Sequence, residues 1–95
     1  MFCLNVILTI NDGTDPAVIR ARLAEAARLS RQEQGCLRFE VYHSRADENL
    51  FLLCEHWESE AAWQTHRGER AVQEIYLPQV LPHVDRAAHP STLVE

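Results

Sequence analysis

Residues 2–10 alternate between two kinds of side chain. One set is wholly apolar and consists of Phe2, Leu4, Val6, Leu8 and Ile10. The other set is mixed and consists of Cys3, Asn5, Ile7 and Thr9. A period of two over this length predicts a β-strand with one face packed on a hydrophobic layer and one face partly polar. A chain that begins in this way must build a sheet whose two faces have different neighbours.

The next segments predict a helix and then a hairpin. Asp15-Pro16 is typical of a helix start, and Gly35 is typical of the residue that ends one. The apolar stripe of this helix recurs at three- and four-residue spacing and comprises Ile19, Leu23, Ala26 and Leu29. Cys36–His43 and Leu50–Trp57 read as strands. Their polar connection is too short for a crossover, so we expect an antiparallel hairpin.

A second helix is predicted from its cap at Ser59. It is interrupted near Gly68, resumes through Val72, Ile75 and Tyr76, and is stopped by Pro78 and Pro82. Residues 83–95 form the last strand and a tail. The strand is predicted over residues 84–88, and residues 90–94 are interpreted as a tail that extends onto a neighbouring molecule.

The predicted order is β-α-β-β-α-β in a single domain over residues 1–95. That order is typical of the α+β, ferredoxin-like arrangement, with an antiparallel sheet and both helices on one face. The other face is left bare and partly apolar, which is typical of an interface or a ligand site. We therefore expect a homodimer in which two sheets pack face to face as a dimeric α/β barrel around a cavity.

The composition restricts the possible chemistry and partners. The net charge of −5, without a basic cluster, argues against nucleic acid and anionic membranes as partners. The chain contains no lysine, which excludes Schiff-base enzymes and a Walker A loop. Cys3, Cys36 and Cys54 lie in apolar runs and are read as free buried thiols. Because neither a signal peptide nor a membrane span is visible, we expect a cytoplasmic protein.

Two segments, Gly35–Tyr42 and Phe51–Ala62, resemble the antibiotic biosynthesis monooxygenase (ABM) domain family. The similarity rests on a glycine after the first helix, a strand hairpin, an E-x-W-E-S pattern at Glu55–Ser59 and a later histidine, His66. It covers roughly residues 2–77. The resemblance implies a dimeric α+β barrel with one cavity per subunit. Its members include oxygenases that attack polycyclic phenols or quinols without metal or flavin, isomerases of small ketones, and haem-degrading enzymes.

His66 and Asn5 are the candidate catalytic residues. An oxygenase without a cofactor needs a base, hydrogen-bond donors for the substrate anion, and apolar walls that exclude water. His66 can accept a phenolic proton near neutral pH and shares a helix face with Trp63. Asn5 is disfavoured in a strand and could donate to a substrate oxygen. The structural alternatives are a histidine packed at the helix–sheet boundary and a hydrogen-bonded polar residue of the sheet.

Four further side chains are candidates for substrate binding. Trp57 and Trp63 could stack on a flat ring, and Tyr76 and Arg86 could hold a substrate oxygen. The alternatives are a core position for Trp57 and surface or interface positions for Tyr76 and Arg86. Glu55 is interpreted as the partner of an arginine in a structural salt bridge.

These residues predict a cofactor-independent monooxygenase that acts on a phenolic or quinol-type small molecule. No set of metal ligands stands at zinc-site spacing around Cys54 and His56. Tyr76 stands where the haem-degrading relatives have their axial histidine, so neither a metal nor another cofactor is expected. The alternatives are a non-catalytic barrel that binds a small aromatic or hydrophobic metabolite and an isomerase of a small polar ketone. A cavity lined mainly by Arg and His would favour the isomerase, and one lined by Phe, Leu and Trp would favour the other two.

Overall fold

A computed structural model describes residues 1–95 as four strands and three helices in the predicted order. The elements are β1 Phe2–Ile10, α1 Pro16–Arg31, β2 Cys36–His43, β3 Leu50–Trp57, α2 Glu60–His66, α3 Ala71–Val80 and β4 Val84–Ser91. A single 3₁₀ turn, Leu81–His83, joins α3 to β4. No helix is both long enough and apolar enough to cross a membrane.

The strands form one antiparallel sheet in the order β2-β3-β1-β4. The ferredoxin-like α+β fold and the antiparallel hairpin are therefore confirmed. Leu4 lies opposite Glu55 in β3 and Pro90 in β4, and these positions belong to the face against the helices, here called the covered face. Asn5, one residue later, belongs to the other face, here called the open face.

The hydrophobic core lies between the covered face and the helices, above all α1. Its largest completely buried side chains are Trp57, Phe51, Leu8, Ile19, Leu23 and Val6. Burying a side chain of this kind stabilises the fold by about 1.5–3 kcal/mol. The alternation of residues 2–10 therefore fixes which face of β1 contributes to the core.

Local signals begin both predicted helices where expected. The Asp15 carboxylate accepts a hydrogen bond from the backbone N–H of Ala17 at 2.9 Å. The Ser59 hydroxyl accepts from the backbone N–H of Ala62 at 3.1 Å. Both caps satisfy amides that have no partner within the helix.

Gly35 acts after the helix rather than at its end, because α1 already stops at Arg31. Its φ of +87° lies in the left-handed region, and a Cβ placed on it would lie 2.7 Å from the Cβ of Ala62. Glycine is therefore required both for the turn into β2 and for the close approach of α2.

The region after Gly68 differs from the prediction. Pro78 does not stop the helix, because α3 is wound as a π-helix through Pro78 to Val80. The side-chain amide of Gln79 donates at 2.8 Å to the carbonyl of Glu74, which in an α-helix would accept from residue 78. In a π-helix each N–H instead bonds the carbonyl five residues earlier, so the N–H that Pro78 lacks would have bonded Gln73, and the Gln79 side chain adds a contact at Glu74.

The last strand is longer than predicted and reaches Ser91. It passes through Pro90, which is tolerated because β4 is an edge strand. Residues 92–95 lie beyond the last strand and belong to no helix or strand.

Candidate active site

A pocket of about 200 Å³ lies between the covered face and the helices, inside a single chain. It is distinct from the cavity that is predicted between the sheets of two subunits. Eleven of its sixteen lining residues are hydrophobic. The larger apolar side chains include Leu4, Leu23, Phe39, Leu53 and Trp63, and the polar ones include Glu55, His66 and Arg86; Tyr76, one of the eleven, adds its hydroxyl group. Such a cleft fits a small, mostly apolar molecule held by a few polar groups.

His66, the last residue of α2, is buried beside the pocket with 6% of its surface exposed. Its ring packs at 4.4 Å, centroid to centroid, from the Trp57 indole and at 5.7 Å from the Phe39 ring. Its Nδ1 lies 2.7 Å from a carboxylate oxygen of Glu33, and its Nε2 lies 4.0 Å from one of Glu55. Burial lowers the pKa of His66, which favours the neutral ring, the form that can accept a proton.

Two carboxyl groups flank this imidazole, and burial raises the pKa of both. The pKa of Glu33 rises to about 7 because of burial and because of the nearby charge of Glu69. Glu55 accepts a hydrogen bond from the Trp57 indole Nε1 at 3.1 Å, and this bond opposes the rise in its pKa. The ring is therefore held between two carboxyl groups whose protonation is easily changed.

Tyr76 and Arg86 form a second polar pair in the pocket wall. The Arg86 Nε donates to the Tyr76 hydroxyl oxygen at 2.9 Å, so α3 and β4 are joined at this point. Burial raises the pKa of Tyr76, and the hydroxyl stays protonated at neutral pH. A protonated hydroxyl beside a guanidinium offers donors to a substrate oxygen. The π-helical α3 carries Tyr76 to this place, and π-turns are frequent at functional sites.

The two tryptophans occupy different positions. Trp63 lines the pocket, stacks on Phe2 at 4.9 Å between ring centroids, and has the Arg67 guanidinium 5.3 Å from its own centroid. Trp57 is completely buried and is not a lining residue. Its contacts are with the groups that line the pocket, His66 and Glu55. A substrate can therefore touch Trp63, whereas Trp57 acts through its neighbours.

Asn5 lies on the open face and is not brought together with His66. Its side-chain amide donates to the hydroxyl of Ser91 at 3.1 Å, across the β1–β4 pair. The sheet stands between it and the pocket, because successive residues of a strand point to opposite faces. Asn5 therefore cannot reach a molecule bound beside His66 in the same subunit.

The sequence profile of the family described as antibiotic biosynthesis monooxygenase matches residues 1–76. The matched region includes Glu33, Glu55, His66 and Tyr76. The chain belongs to the antibiotic biosynthesis monooxygenase family.

Solved structures of the ABM fold agree closely with this chain. An antibiotic biosynthesis monooxygenase has a TM-score of 0.88 at 20% identity, with 100% of both chains covered. The protein PA3566 of Pseudomonas aeruginosa has a TM-score of 0.86 at 17% identity, with 99% of this chain and 95% of that chain covered. A variant of SnoaB, a cofactor-independent oxygenase of Streptomyces nogalater, has a TM-score of 0.85 at 13% identity, with 99% and 93% covered. At these identities the likeness establishes the fold. Comparison with curated protein sequences finds no match.

Sequence reasoning missed two residues of this ABM-family pocket. Glu55 was interpreted as the partner of an arginine in a structural salt bridge, yet it makes its hydrogen bond with Trp57 and lines the pocket. Its position two residues before the core residue Trp57 was the signal that it faces inward. Glu33 gave no such signal, because it lies in the loop after α1 and meets His66 only through the fold.

No group of three or more His, Cys, Asp or Glu side chains in this ABM-family chain is arranged to hold a metal ion.

Proposed function

We propose that this ABM-family protein is a cofactor-independent monooxygenase that oxidises a phenol or quinol with O₂. The observation that carries the proposal is a buried histidine beside a largely apolar pocket, with its Nε2 on the side of the pocket-lining Glu55. The family match supports monooxygenase chemistry in general. The likeness to SnoaB, described as a cofactor-independent oxygenase, supports the absence of an added cofactor.

In the proposed reaction the substrate supplies the electrons. His66 Nε2 accepts the phenolic proton, and the phenolate gives one electron to O₂, so that a phenoxyl radical and superoxide result. These recombine through a new C–O bond into a peroxide anion, which takes the proton back from His66 Nε2, and the resulting hydroperoxide loses water to leave a quinone. For a phenol with a free ring C–H, one O₂ is consumed and one water is released. The protein contributes the base, donors for the developing anion, and exclusion of water.

We assign three roles within the pocket. His66 is the base, Tyr76 and Arg86 donate to the substrate oxyanion, and Trp63 provides an aromatic wall. The hydrogen bond between Arg86 and Tyr76 supports this assignment, because it orients both donors before a ligand arrives. Trp57 keeps the ring of His66 in place by packing on it.

The lining of the pocket bears on the alternatives. Leu, Phe and Trp side chains outnumber Arg and His there, which disfavours an isomerase of a small polar ketone. The same lining suits a non-catalytic barrel that binds an aromatic metabolite. The histidine held between two carboxyl groups favours an enzyme, and a measurement of turnover decides between the enzyme and the binding barrel.

The proposal includes a homodimer formed through the open face. Tyr42, Leu52, Ile7 and Ala87 stand in one row across all four strands, and all four are exposed. A second copy of the sheet would cover this row, since apolar surface is stabilised by removal from water. A cytoplasmic location is also proposed, in keeping with the free thiols of Cys3, Cys36 and Cys54.

Oxygen uptake with a panel of phenols and quinols tests the proposed reaction. We expect uptake with at least one compound and a loss of kcat/KM of roughly 10²- to 10⁴-fold in His66→Gln, the range for a general base. His43→Gln is the matched control, because His43 stacks on Phe51 and bonds the carbonyl of Glu48, away from the pocket. Saturable quenching of tryptophan fluorescence without uptake by any compound would support the binding barrel instead. Unchanged turnover in His66→Gln would remove this histidine from the reaction.

Sedimentation equilibrium tests the dimer. We expect the wild type to sediment as twice the mass of the chain and Leu52→Arg to sediment as a monomer. Val18→Arg is the control, because Val18 is similarly exposed but lies on α1. A monomeric wild type, or dissociation caused equally by Val18→Arg, would contradict a dimer through the open face.

A further inference from the structure

The two ring nitrogens of His66 face different carboxyl groups. Nδ1 is in hydrogen-bond contact with Glu33 at 2.7 Å, whereas Nε2 is 4.0 Å from Glu55, beyond hydrogen-bond distance. A neutral imidazole carries its hydrogen on only one nitrogen, and the other nitrogen is the acceptor. The nitrogen that can accept a proton on the pocket side is therefore set by the contact at Nδ1.

Glu33 can make this contact in two ways. As a carboxylate it accepts a hydrogen bond from Nδ1–H, and the lone pair of the ring is then at Nε2. As a carboxylic acid it donates to Nδ1, and the hydrogen of the ring is then at Nε2. The first state is a base toward the pocket, and the second state is not.

We propose that Glu33 is a positioning residue that holds His66 as the Nδ1–H tautomer and thereby makes Nε2 the base of the pocket. The inference deepens the proposed function and rests on it. When the substrate O–H bond breaks, its proton forms the Nε2–H bond, and the resulting imidazolium keeps its Nδ1–H donated to the Glu33 carboxylate. Glu33 is not one of the residues that line the pocket, so it acts on a bound molecule only through His66.

The surroundings of the pair place the exchange between the two states near neutral pH. Burial and the charge of Glu69 raise the pKa of Glu33 to about 7. Cys36 of β2 lies close to Glu33, and burial raises the pKa of this thiol, so it stays neutral there. Around His66 the facing groups are Glu33, Glu55 and Glu69, and Arg86 and Tyr76 lie further along the pocket wall near Glu55. Glu33 therefore ionises as pH rises through neutrality, and the base is present above that range.

Nitrogen-15 spectra of the histidine rings test the tautomer without any substrate. Above pH 8 we expect the Nδ1–H form of His66 in the wild type and a change to Nε2–H as the pH falls through about 7, while the ring is still neutral. In Glu33→Ala the Nδ1–H form loses its acceptor and its population falls, and in Glu33→Gln the pH-dependent exchange disappears. Glu69→Gln is the matched control: it keeps the Nδ1–H form and moves the exchange to lower pH, because it removes a charge that raises the pKa of Glu33. An Nε2–H form in the wild type above pH 8, or an exchange unchanged in Glu33→Gln, would overturn the proposal.

Kinetics provide a second readout once a substrate turns over. We expect wild-type kcat/KM to rise through neutral pH and Glu33→Ala to lose at least about 10-fold in kcat with little change in KM, as for the loss of a group that orients a histidine. This rise of kcat/KM with pH should be absent in Glu33→Gln, and in Glu69→Gln it should only move to lower pH. If the spectra behave as expected and no substrate turns over, the positioning by Glu33 stands and the proposed oxygenase fails. If turnover is found and Glu33→Ala retains full kcat, the oxygenase stands and the positioning fails.

Discussion

The two faces of the sheet shift the pKa of a glutamate side chain in opposite directions. Glu55 of β3 lies on the covered face, and burial raises the pKa of its carboxyl group. Glu40 of β2, opposite Cys54 on the open face, accepts hydrogen bonds from Arg38 and Tyr42 that lower its pKa. These two carboxyl groups sit at adjacent register positions of one hairpin. The difference has two causes: the helices remove water from around Glu55, and hydrogen-bond donors on the open face stabilise the charge of Glu40.

This contrast explains why the candidate chemistry belongs to the covered face. The raised pKa of Glu55 and the lowered pKa of His66 come from exclusion of water, and the helix layer supplies it. Groups of the open face, such as Asn5 with Ser91, satisfy their polar atoms among themselves. The candidate active site therefore lies on the covered face, and the polar groups of the open face belong to a surface.

The largest expected effect is a difference in stability between alanine variants of two neighbouring leucines of β3. Leu53 is 4% exposed on the covered face, and Leu52 is 42% exposed on the open face. We expect Leu53→Ala to lower the free energy of unfolding by about 3 kcal/mol, because it leaves a cavity in the core, and Leu52→Ala by less than about 1 kcal/mol. Urea unfolding at low protein concentration, where the proposed dimer is dissociated, provides the measurement. Equal losses would mean that the open face is covered as completely as the other.

A smaller effect should appear in the pH dependence of stability. Because folding raises the pKa of Glu55, its carboxyl group stabilises the fold at pH values below the unfolded pKa near 4.5. This stabilisation is lost as pH rises through the folded pKa. The lowered pKa of Glu40 gives stability above 4.5 that is lost as pH falls through the folded value. Relative to the wild type, the free energy of unfolding of Glu55→Gln should therefore increase with rising pH. That of Glu40→Gln should decrease relative to the wild type over the same change. Unfolding midpoints measured from about pH 3 to pH 8 would contradict the contrast if both variants shifted with the same sign.

The smallest expected effect is that of Asn5→Ala. Its exposed hydrogen bond to Ser91 contributes less than about 1 kcal/mol to stability. Because the sheet separates it from His66, kcat/KM should stay within about twofold of the wild type. Oxygen-uptake kinetics check this, with His66→Gln as the reference for a lost base. A loss comparable to that of His66→Gln would show that the open face takes part in the reaction.

Much of the fold was predictable because its signals are local. The alternation of residues 2–10 predicted which side chains enter the core, and the caps at Asp15 and Ser59 predicted where helices begin. The course of the chain after Gly68 was not predictable in the same way. A proline normally ends a helix, and only the structure shows that α3 continues past Pro78 as a π-helix.

The sequence by itself determined the order of the strands and helices, the inward side of β1, and the presence of His66 on the second helical segment. It did so because periodicity and capping depend on residues within a few positions of one another. The tertiary structure alone decided that the pocket lies under the helices, that Glu33 meets His66, and that the sheet separates Asn5 from the pocket. Those relations join residues far apart in the chain, and the contact of Glu33 with His66 lies beside the close approach of α2 to Gly35, where no side chain stands in the way.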